Sequence, residues 1–281
     1  MNNKPLNGKA IYEPSGKAGE YAKYAVNFYV GCSNDCDYCY CKRGVLGHAM
    51  GAPKATLKKC FKNELDAVRT FERELTKNIE EIRKHGLFFT FTSDPMLEDT
   101  RKLTMQAVDF ATTQCVPCKI LTKRADFIEH IPEWWHYGVY RKYIAIGFTL
   151  TGRDDLERGA SPNEERIAAM KRLHEAGFKT FASIEPIIDL KSSTDMIWTT
   201  RGFCDLYKIG LLSGKKEYTS KEVTDFVDDT MLCIDTYNTE HHTDAKIYWK
   251  DSVCEYIKAS REEMRALYPK IIVESDYNLF K

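Results

Sequence analysis

No stretch of the 281 residues approaches the roughly eighteen consecutive apolar residues that a membrane-spanning helix needs. The start, Met1-Asn2-Asn3-Lys4-Pro5, has no apolar segment behind it, so a secretory signal is not expected. Neither sign of charge is in excess. Lys+Arg and Asp+Glu both number 41, and the formal net charge is zero. That argues against a surface that traps nucleic acid along its whole extent, while a local basic groove stays open. No internal repeat is visible beyond an alternation of strands and helices, and no low-complexity linker marks a domain boundary. A phosphate loop is also missing, because Pro14-Ser15-Gly16-Lys17-Ala18-Gly19 lacks the full G-x-x-x-x-G-K-[ST] pattern.

Cysteine, by contrast, is plentiful. Ten cysteines in a chain without a signal point to a reducing compartment rather than a disulfide framework, and a cytoplasmic protein is expected. Cys60, Cys204, Cys233 and Cys254 are scattered, and the pair Cys115-Val116-Pro117-Cys118 has no second pair at zinc spacing nearby. His241-His242 reads as part of a polar loop. The informative stretch is Cys32-Ser33-Asn34-Asp35-Cys36-Asp37-Tyr38-Cys39, a C-x3-C-x2-C run at the end of the apolar segment Val26 to Gly31. Thiolates are soft ligands that suit iron–sulfur clusters and zinc. Structural zinc usually takes four protein ligands. Ferredoxin-type clusters use a fourth cysteine in runs spaced differently. Three thiolates on one short loop can hold three irons of a 4Fe–4S cluster and leave the fourth iron open to a second molecule.

Hydrophobic periodicity places the elements around that loop. Strands are expected over Ala25–Val30, Leu87–Thr92, Cys118–Thr122, Tyr143–Leu150, Phe178–Ile184 and Leu206–Leu211. Residues 41–53 read as loop. A helix follows whose stripe is Leu65, Val68, Leu75, Ile79 and Ile82, closed by Gly86. Further helices are expected over Arg101–Thr113, Asp126–His130, Thr194–Thr200, Ser220–Tyr237 and Asp251–Tyr268. Ser161-Pro162-Asn163-Glu164 reads as a helix start with serine as cap and glutamate closing a capping box. Strand and helix alternate six times, so the fold class is α/β with a parallel sheet in a single domain over residues 1–281. Six units are too few to close an eight-stranded barrel. In α/β barrels the chemistry sits where strands end. Those places carry the cysteine loop, Ser93 and Asp94, Lys123, Thr149, and Glu185.

The C-x3-C-x2-C run, with Tyr38 before its last cysteine, resembles the signature of the radical SAM superfamily. The wider stretch Asn27-Phe28-Tyr29-Val30-Gly31-Cys32 to Cys39-Tyr40 is similar to the spore photoproduct lyase-like, or DNA repair photolyase-like, branch. Asp94-Pro95 with Glu98, Thr122-Lys123, and the stretch from Leu150 through Ala160-Ser161-Pro162 to Glu165-Arg166 also resemble that branch. The likeness covers residues 11–212 well and 213–281 weakly, so it divides the domain into a core and a C-terminal extension. It implies a partial (βα)6 TIM-type barrel. It implies a 4Fe–4S cluster on Cys32, Cys36 and Cys39, S-adenosylmethionine (SAM) as cofactor, and an external one-electron donor of flavodoxin or ferredoxin type. Ser93 and Asp94 would meet the SAM ammonium, Lys123 its carboxylate or ribose, and Thr149 the ribose. Tyr38 and Tyr40 would lie near the adenine. Cys41 and Glu185 are the residues proposed to face the radical or the substrate, and a nucleic acid or nucleotide is the substrate class implied. Spore photoproduct lyase relies on a cysteine after the second strand, where this chain reads Thr92-Ser93-Asp94-Pro95-Met96. That departure speaks against thymine-dimer repair. The alternative is a non-catalytic iron–sulfur or zinc module with a redox or nucleic-acid-binding role, which would neither bind nor cleave SAM. The last expectation concerns Lys246 to Ser252. With Tyr248, Trp249 and Lys250 in a row, it should cover the flank that six strands leave open.

Overall fold

The computed structural model describes residues 5–212 and 217–281. The class is α/β, with eight strands of a mostly parallel sheet and helices between them, of the partial TIM-barrel type expected. Packing divides the chain into two compact units. The first is Met1–Ala145 with Asp155–Ser161 and Phe280–Lys281; the second is Ile146–Asp154 with Pro162–Leu279.

The first unit contains β1 (Ile11–Tyr12), β2 (Ala25–Val26), β3 (Tyr29–Val30), α1 (Gly44–Met50), β4 (Thr56–Leu57), α2 (Glu64–Lys77), α3 (Ile79–His85), β5 (Leu87–Phe89), α4 (Arg101–Thr113), β6 (Cys118–Thr122) and α5 (Gly138–Arg141). Its strand order is β1-β2-β5-β6. The β2–β5 and β5–β6 pairs are parallel, and β1 is antiparallel to β2. Phe28, Phe71, Phe89 and Phe110 pack in tilted and edge-to-face contacts with Phe71 at the centre. Burying a phenylalanine of this kind contributes roughly 1.5–3 kcal/mol.

Several boundaries differ from the sequence reading, each for a local reason. The strand expected over 25–30 breaks at Asn27-Phe28. Asn27 donates to the Tyr12 hydroxyl at 2.8 Å and accepts from the Phe91 N–H at 2.9 Å, and β3 leaves to pair antiparallel with β4. The loop expected over 41–53 contains α1. One long helix becomes α2 and α3 because Asn78 leaves helical geometry and donates to the Glu74 carbonyl at 2.8 Å. The inward face is Ala67, Phe71, Leu75 and Ile82; Leu65 is exposed. β5 stops at Phe89 rather than Thr92, and Asp126–His130 and Glu133–His136 are 3-10 turns.

Strand β7 (Ile144–Thr149) contributes its last four residues to the second unit. There follow α6 (Asn163–Glu175), β8 (Lys179–Ile187), α7 (Leu190–Thr200), β9 (Leu206–Leu211), α8 (Ser220–His241), β10 (Lys246–Trp249), α9 (Asp251–Ile257) and α10 (Arg261–Leu267). Strands β8, β9 and β10 pair in parallel. The capping box expected before α6 is absent. Pro162 is the cap residue, and the Ser161 hydroxyl accepts from Ala125 N–H at 2.9 Å instead. Thr219 and Glu222 do form a capping box, at the start of α8. The last expected helix is divided at Lys258, which is left-handed. His241 ends α8 and stacks on Tyr237, with ring centroids 4.1 Å apart. The segment expected to cover an open flank is β10, a further strand on the edge of β9 in the register Tyr248↔Lys208.

Candidate active site

The cysteine loop leaves β3 through Gly31, whose φ is +84°. An added Cβ there would sit 2.4 Å from the Lys54 carbonyl oxygen, so the turn requires glycine. Cys32 N–H donates to the Ala52 carbonyl at 3.0 Å and Cys39 N–H to the Cys36 carbonyl at 3.3 Å. Cys36 is buried; Cys32 and Cys39 are half-buried. Burial pushes the Cys32 thiol up to about 12, with the Asp94 carboxylate adding to the rise and the Lys123 ammonium opposing it. Burial also raises Cys36, again against Lys123. Cys39 is held at about 6, chiefly because the Cys41 thiol donates to it, with Lys123 and Lys42 contributing. The buried Cys41 thiol is raised in its turn, first by its bond to Cys39. Its sulfur lies 3.7 Å from the Phe91 carbonyl oxygen, which also accepts from the Tyr40 hydroxyl.

Asp94 ties this loop to the ends of β5 and β6. Its Oδ1 accepts from Met96 N–H at 2.9 Å and from the Thr122 hydroxyl at 2.6 Å. Its Oδ2 accepts from Asn34 Nδ2 and from Lys123 N–H, both at 2.7 Å. A carboxylate offers about four lone-pair positions, and all four are occupied from within the protein. The expectation that Asp94 takes the SAM ammonium thus requires one of these bonds to give way. Two buried polar atoms beside it, Asn34 Oδ1 and Ser93 Oγ, have no hydrogen-bond partner among the described residues.

Sequence reasoning missed Glu157. Residues 155–161 run against the cysteine loop. Asp37 N–H donates to the Leu156 carbonyl at 2.9 Å, Gly159 N–H donates to the Asn34 carbonyl at 3.0 Å, and Cys36 forms an antiparallel bridge with Glu157. The approach is close enough that a Cβ on Gly159 would fall 2.0 Å from the Ser33 carbonyl oxygen. At the other end Ser161 N–H donates to the Lys123 carbonyl at 3.0 Å. The Glu157 side chain is fully buried. It accepts from the Tyr38 hydroxyl, and the Lys123 ammonium lies 3.9 Å from the same oxygen and 5.5 Å from the centroid of the Tyr38 ring. The available signal was an acidic residue in a turn of glycine and small residues, too weak to read without the pairing.

Thr149 and Glu185 belong to the second unit. Thr149 is buried, and its carbonyl accepts from Arg166 at 2.6 Å. Both Glu185 oxygens accept from the buried Lys250 ammonium, at 2.9 and 2.7 Å. That ion pair crosses β9 at Gly210, where an added Cβ would meet Lys250 Cδ at 2.9 Å and Glu185 Oε1 at 3.0 Å. Trp249 packs edge-to-face on Phe226 of α8 and is buried, as is Tyr248, which lies beside Lys208 and Arg261.

Among the described residues no group of three His, Cys, Asp or Glu side chains closes on a single metal ion. A four-iron cluster asks something else of its ligands, since each thiolate takes its own iron. A thiol-rich loop that leaves the short antiparallel strand β3 and is tied through Asp94 to the end of the parallel strand β6 is an arrangement suited to a cofactor-dependent α/β enzyme. The Radical SAM superfamily sequence model matches residues 26–200, and the chain belongs to that superfamily as an enzyme of the radical SAM type. Membership implies S-adenosylmethionine and an iron–sulfur cluster. An uncharacterised protein of Methanocaldococcus jannaschii is 28% identical over 210 residues, which are 69% of this chain and 72% of that one. Among solved structures, spore photoproduct lyase complexed with dinucleoside spore photoproduct superposes with a TM-score of 0.59 at 15% identity, covering 85% of this chain and 80% of that one. Streptococcus suis SuiB bound to S-adenosylmethionine superposes with a TM-score of 0.57 at 12% identity, covering 87% of this chain and 54% of that one. These structures share the fold. No helix among the described residues is long and apolar enough to cross a membrane.

Proposed function

We propose that the chain cleaves SAM reductively and uses the resulting radical to abstract hydrogen from a substrate. Cys32, Cys36 and Cys39 would hold a 4Fe–4S cluster, and when reduced by an external flavodoxin- or ferredoxin-type donor that cluster supplies the electron that breaks the sulfonium bond. The donor set fits the group. Three thiols share one loop, and the Lys123 ammonium lies over the ring of Tyr38 in that loop, a cation beside the negative charge that three thiolates bring. The orphaned Asn34 Oδ1 and Ser93 Oγ are acceptors that an ammonium group would satisfy. Lys123 offers a cation to a carboxylate, and Tyr38 and Tyr40 offer ring faces to an adenine. Thr149 is proposed for the ribose, and Cys41 and Glu185 for the reacting end of the substrate. A nucleotide or nucleic acid is the substrate class proposed, on the strength of the motif resemblance and of a fold neighbour complexed with a dinucleoside photoproduct.

The observation that carries this reading is the C-x3-C-x2-C loop held against the end of β6, with Asn34 of the loop, Thr122 and Lys123 N–H all bonded to the Asp94 carboxylate. It is tested by anaerobic reconstitution with iron and sulfide, followed by dithionite and SAM. The protein should release 5′-deoxyadenosine, and Cys36→Ala should lose both the visible absorbance of the cluster and this product. A Cys36→Ala protein that still makes 5′-deoxyadenosine rules out the ligand assignment.

A further inference from the structure

We propose that Glu157 is a positioning residue for SAM binding, one that fixes Lys123 and Tyr38 beside the cysteine loop. The inference rests on the reading above, in which Lys123 meets the SAM carboxylate.

Lys123 carries its charge on a long, flexible stem, and its ammonium lies over the ring of Tyr38 in the cysteine loop. Left to itself, it would follow the charge of the loop. Glu157 supplies a fixed counter-charge on another element. Its carboxylate is buried, so its field is little screened. It is also fixed in place, because the segment carrying it is stitched to the cysteine loop at Asp37 and Asn34 and to the exit of β6 at Lys123. One oxygen serves both the Tyr38 hydroxyl and the Lys123 ammonium, and the ammonium also lies over the Tyr38 ring. The phenol and the cation are therefore locked to each other as well as to the carboxylate. At 3.9 Å the contact is an ion pair without a tight hydrogen bond. The lysine keeps donor capacity for a second anion, and an arriving carboxylate finds its partner already oriented. Outer partners of this kind, which orient a binding group without touching the ligand, change affinity by roughly 10–100-fold when removed.

The test is a double-mutant cycle on reconstituted protein, with iron and sulfide content measured alongside SAM affinity by equilibrium dialysis. Glu157→Gln should keep the iron content of the parent and weaken SAM binding roughly tenfold. Lys123→Ala should weaken it at least as much. The double variant should bind no more weakly than Lys123→Ala alone, because Glu157 acts through Lys123. Glu157→Asp, which keeps the charge, should recover part of the affinity and serves as the probe if the glutamine variant does not fold. Parent-like SAM binding by Glu157→Gln overturns the inference. So do additive losses in the cycle, which would mean that Glu157 acts independently of Lys123. Loss of iron in Glu157→Gln and Glu157→Asp alike also overturns it, since the carboxylate would then serve the loop itself. If the parent binds a cluster and no SAM, the failure lies with the reading of the site.

Discussion

Asp94 takes four hydrogen bonds and gives none, so its charge is distributed over three separate stretches of chain. Asn34 belongs to the cysteine loop, Met96 to the turn after β5, and Thr122 with Lys123 to the end of β6. Asparagine has the same shape but replaces one acceptor by a donor. In Asp94→Asn, two of the four donors would face an amide N–H₂. A buried donor left without a partner costs about 1–3 kcal/mol. Asp94→Asn should therefore lower the stability of the apoprotein by roughly 2–3 kcal/mol in urea unfolding. It should also lower cluster incorporation, because Asn34 lies between the first two cysteines. Unchanged stability would mean that the loop is held by its backbone bonds alone. The motif-level reading put Asp94 just past the second strand, and a hydrogen bond from Asn34 ties it to the cysteine loop. That reading assigned the carboxylate to a ligand because nothing in the sequence reports that Thr122, 28 positions on, turns its hydroxyl to the same oxygen as Met96 N–H.

At the scale of elements, β10 extends the parallel strands of the second unit. It pairs with β9 over four residues, buries Tyr248 and Trp249, and delivers Lys250 to Glu185 across Gly210. Deleting it would uncover the edge of β9 and a large apolar area, so a truncation reports on folding before it reports on function. A point change is more informative. Lys250→Met keeps the aliphatic stem but leaves the Glu185 carboxylate without its two bonds from the ammonium. Breaking a buried pair from one side costs roughly 3–5 kcal/mol. Thermal or urea unfolding should show a loss of that order for Lys250→Met, and adding Glu185→Gln should return part of it. A double variant no more stable than Lys250→Met would show that the carboxylate is compensated from elsewhere. The elements that the sequence placed to the residue, α4, β6 and β9, are those whose pattern is decided locally, by an apolar run or stripe with clear ends. The ones it merged, at Asn27, Asn78 and Lys258, break through a side chain bonding to distant or backbone groups, or through a left-handed residue that is not glycine. Periodicity carries no trace of either. Spacing alone singles out the three cysteines as candidates, but it cannot single out Glu157, because its partner Tyr38 lies 119 positions away.

For the whole molecule, charge balance constrains any nucleic-acid substrate. Positive and negative residues are equal in number, and many exposed cations are already committed. Lys42 pairs with Asp35 and Arg158 with Asp37 beside the cysteine loop, and Lys171, Lys191 and Lys221 pair one helical turn along with Glu175, Asp195 and Asp225. Non-specific duplex binding depends on releasing counterions by neutralising many phosphates, and log K then falls with log salt at about 0.9 per phosphate. A surface of this kind neutralises few. If a nucleotide is the substrate, recognition must come from stacking and hydrogen bonds at the site, with about two or three phosphates engaged. The salt slope for a short single-stranded substrate should then be about −1.4 to −2.1, at about 0.7 per phosphate. Undamaged duplex should bind more weakly than roughly 10⁻⁴ M at physiological salt, the weak end of ordinary non-specific affinity. Fluorescence anisotropy with a labelled tetranucleotide and a labelled 20-mer duplex, each titrated at several salt concentrations, measures both. Micromolar binding of the undamaged duplex with a steep slope would overturn this picture and put an extended basic groove in its place.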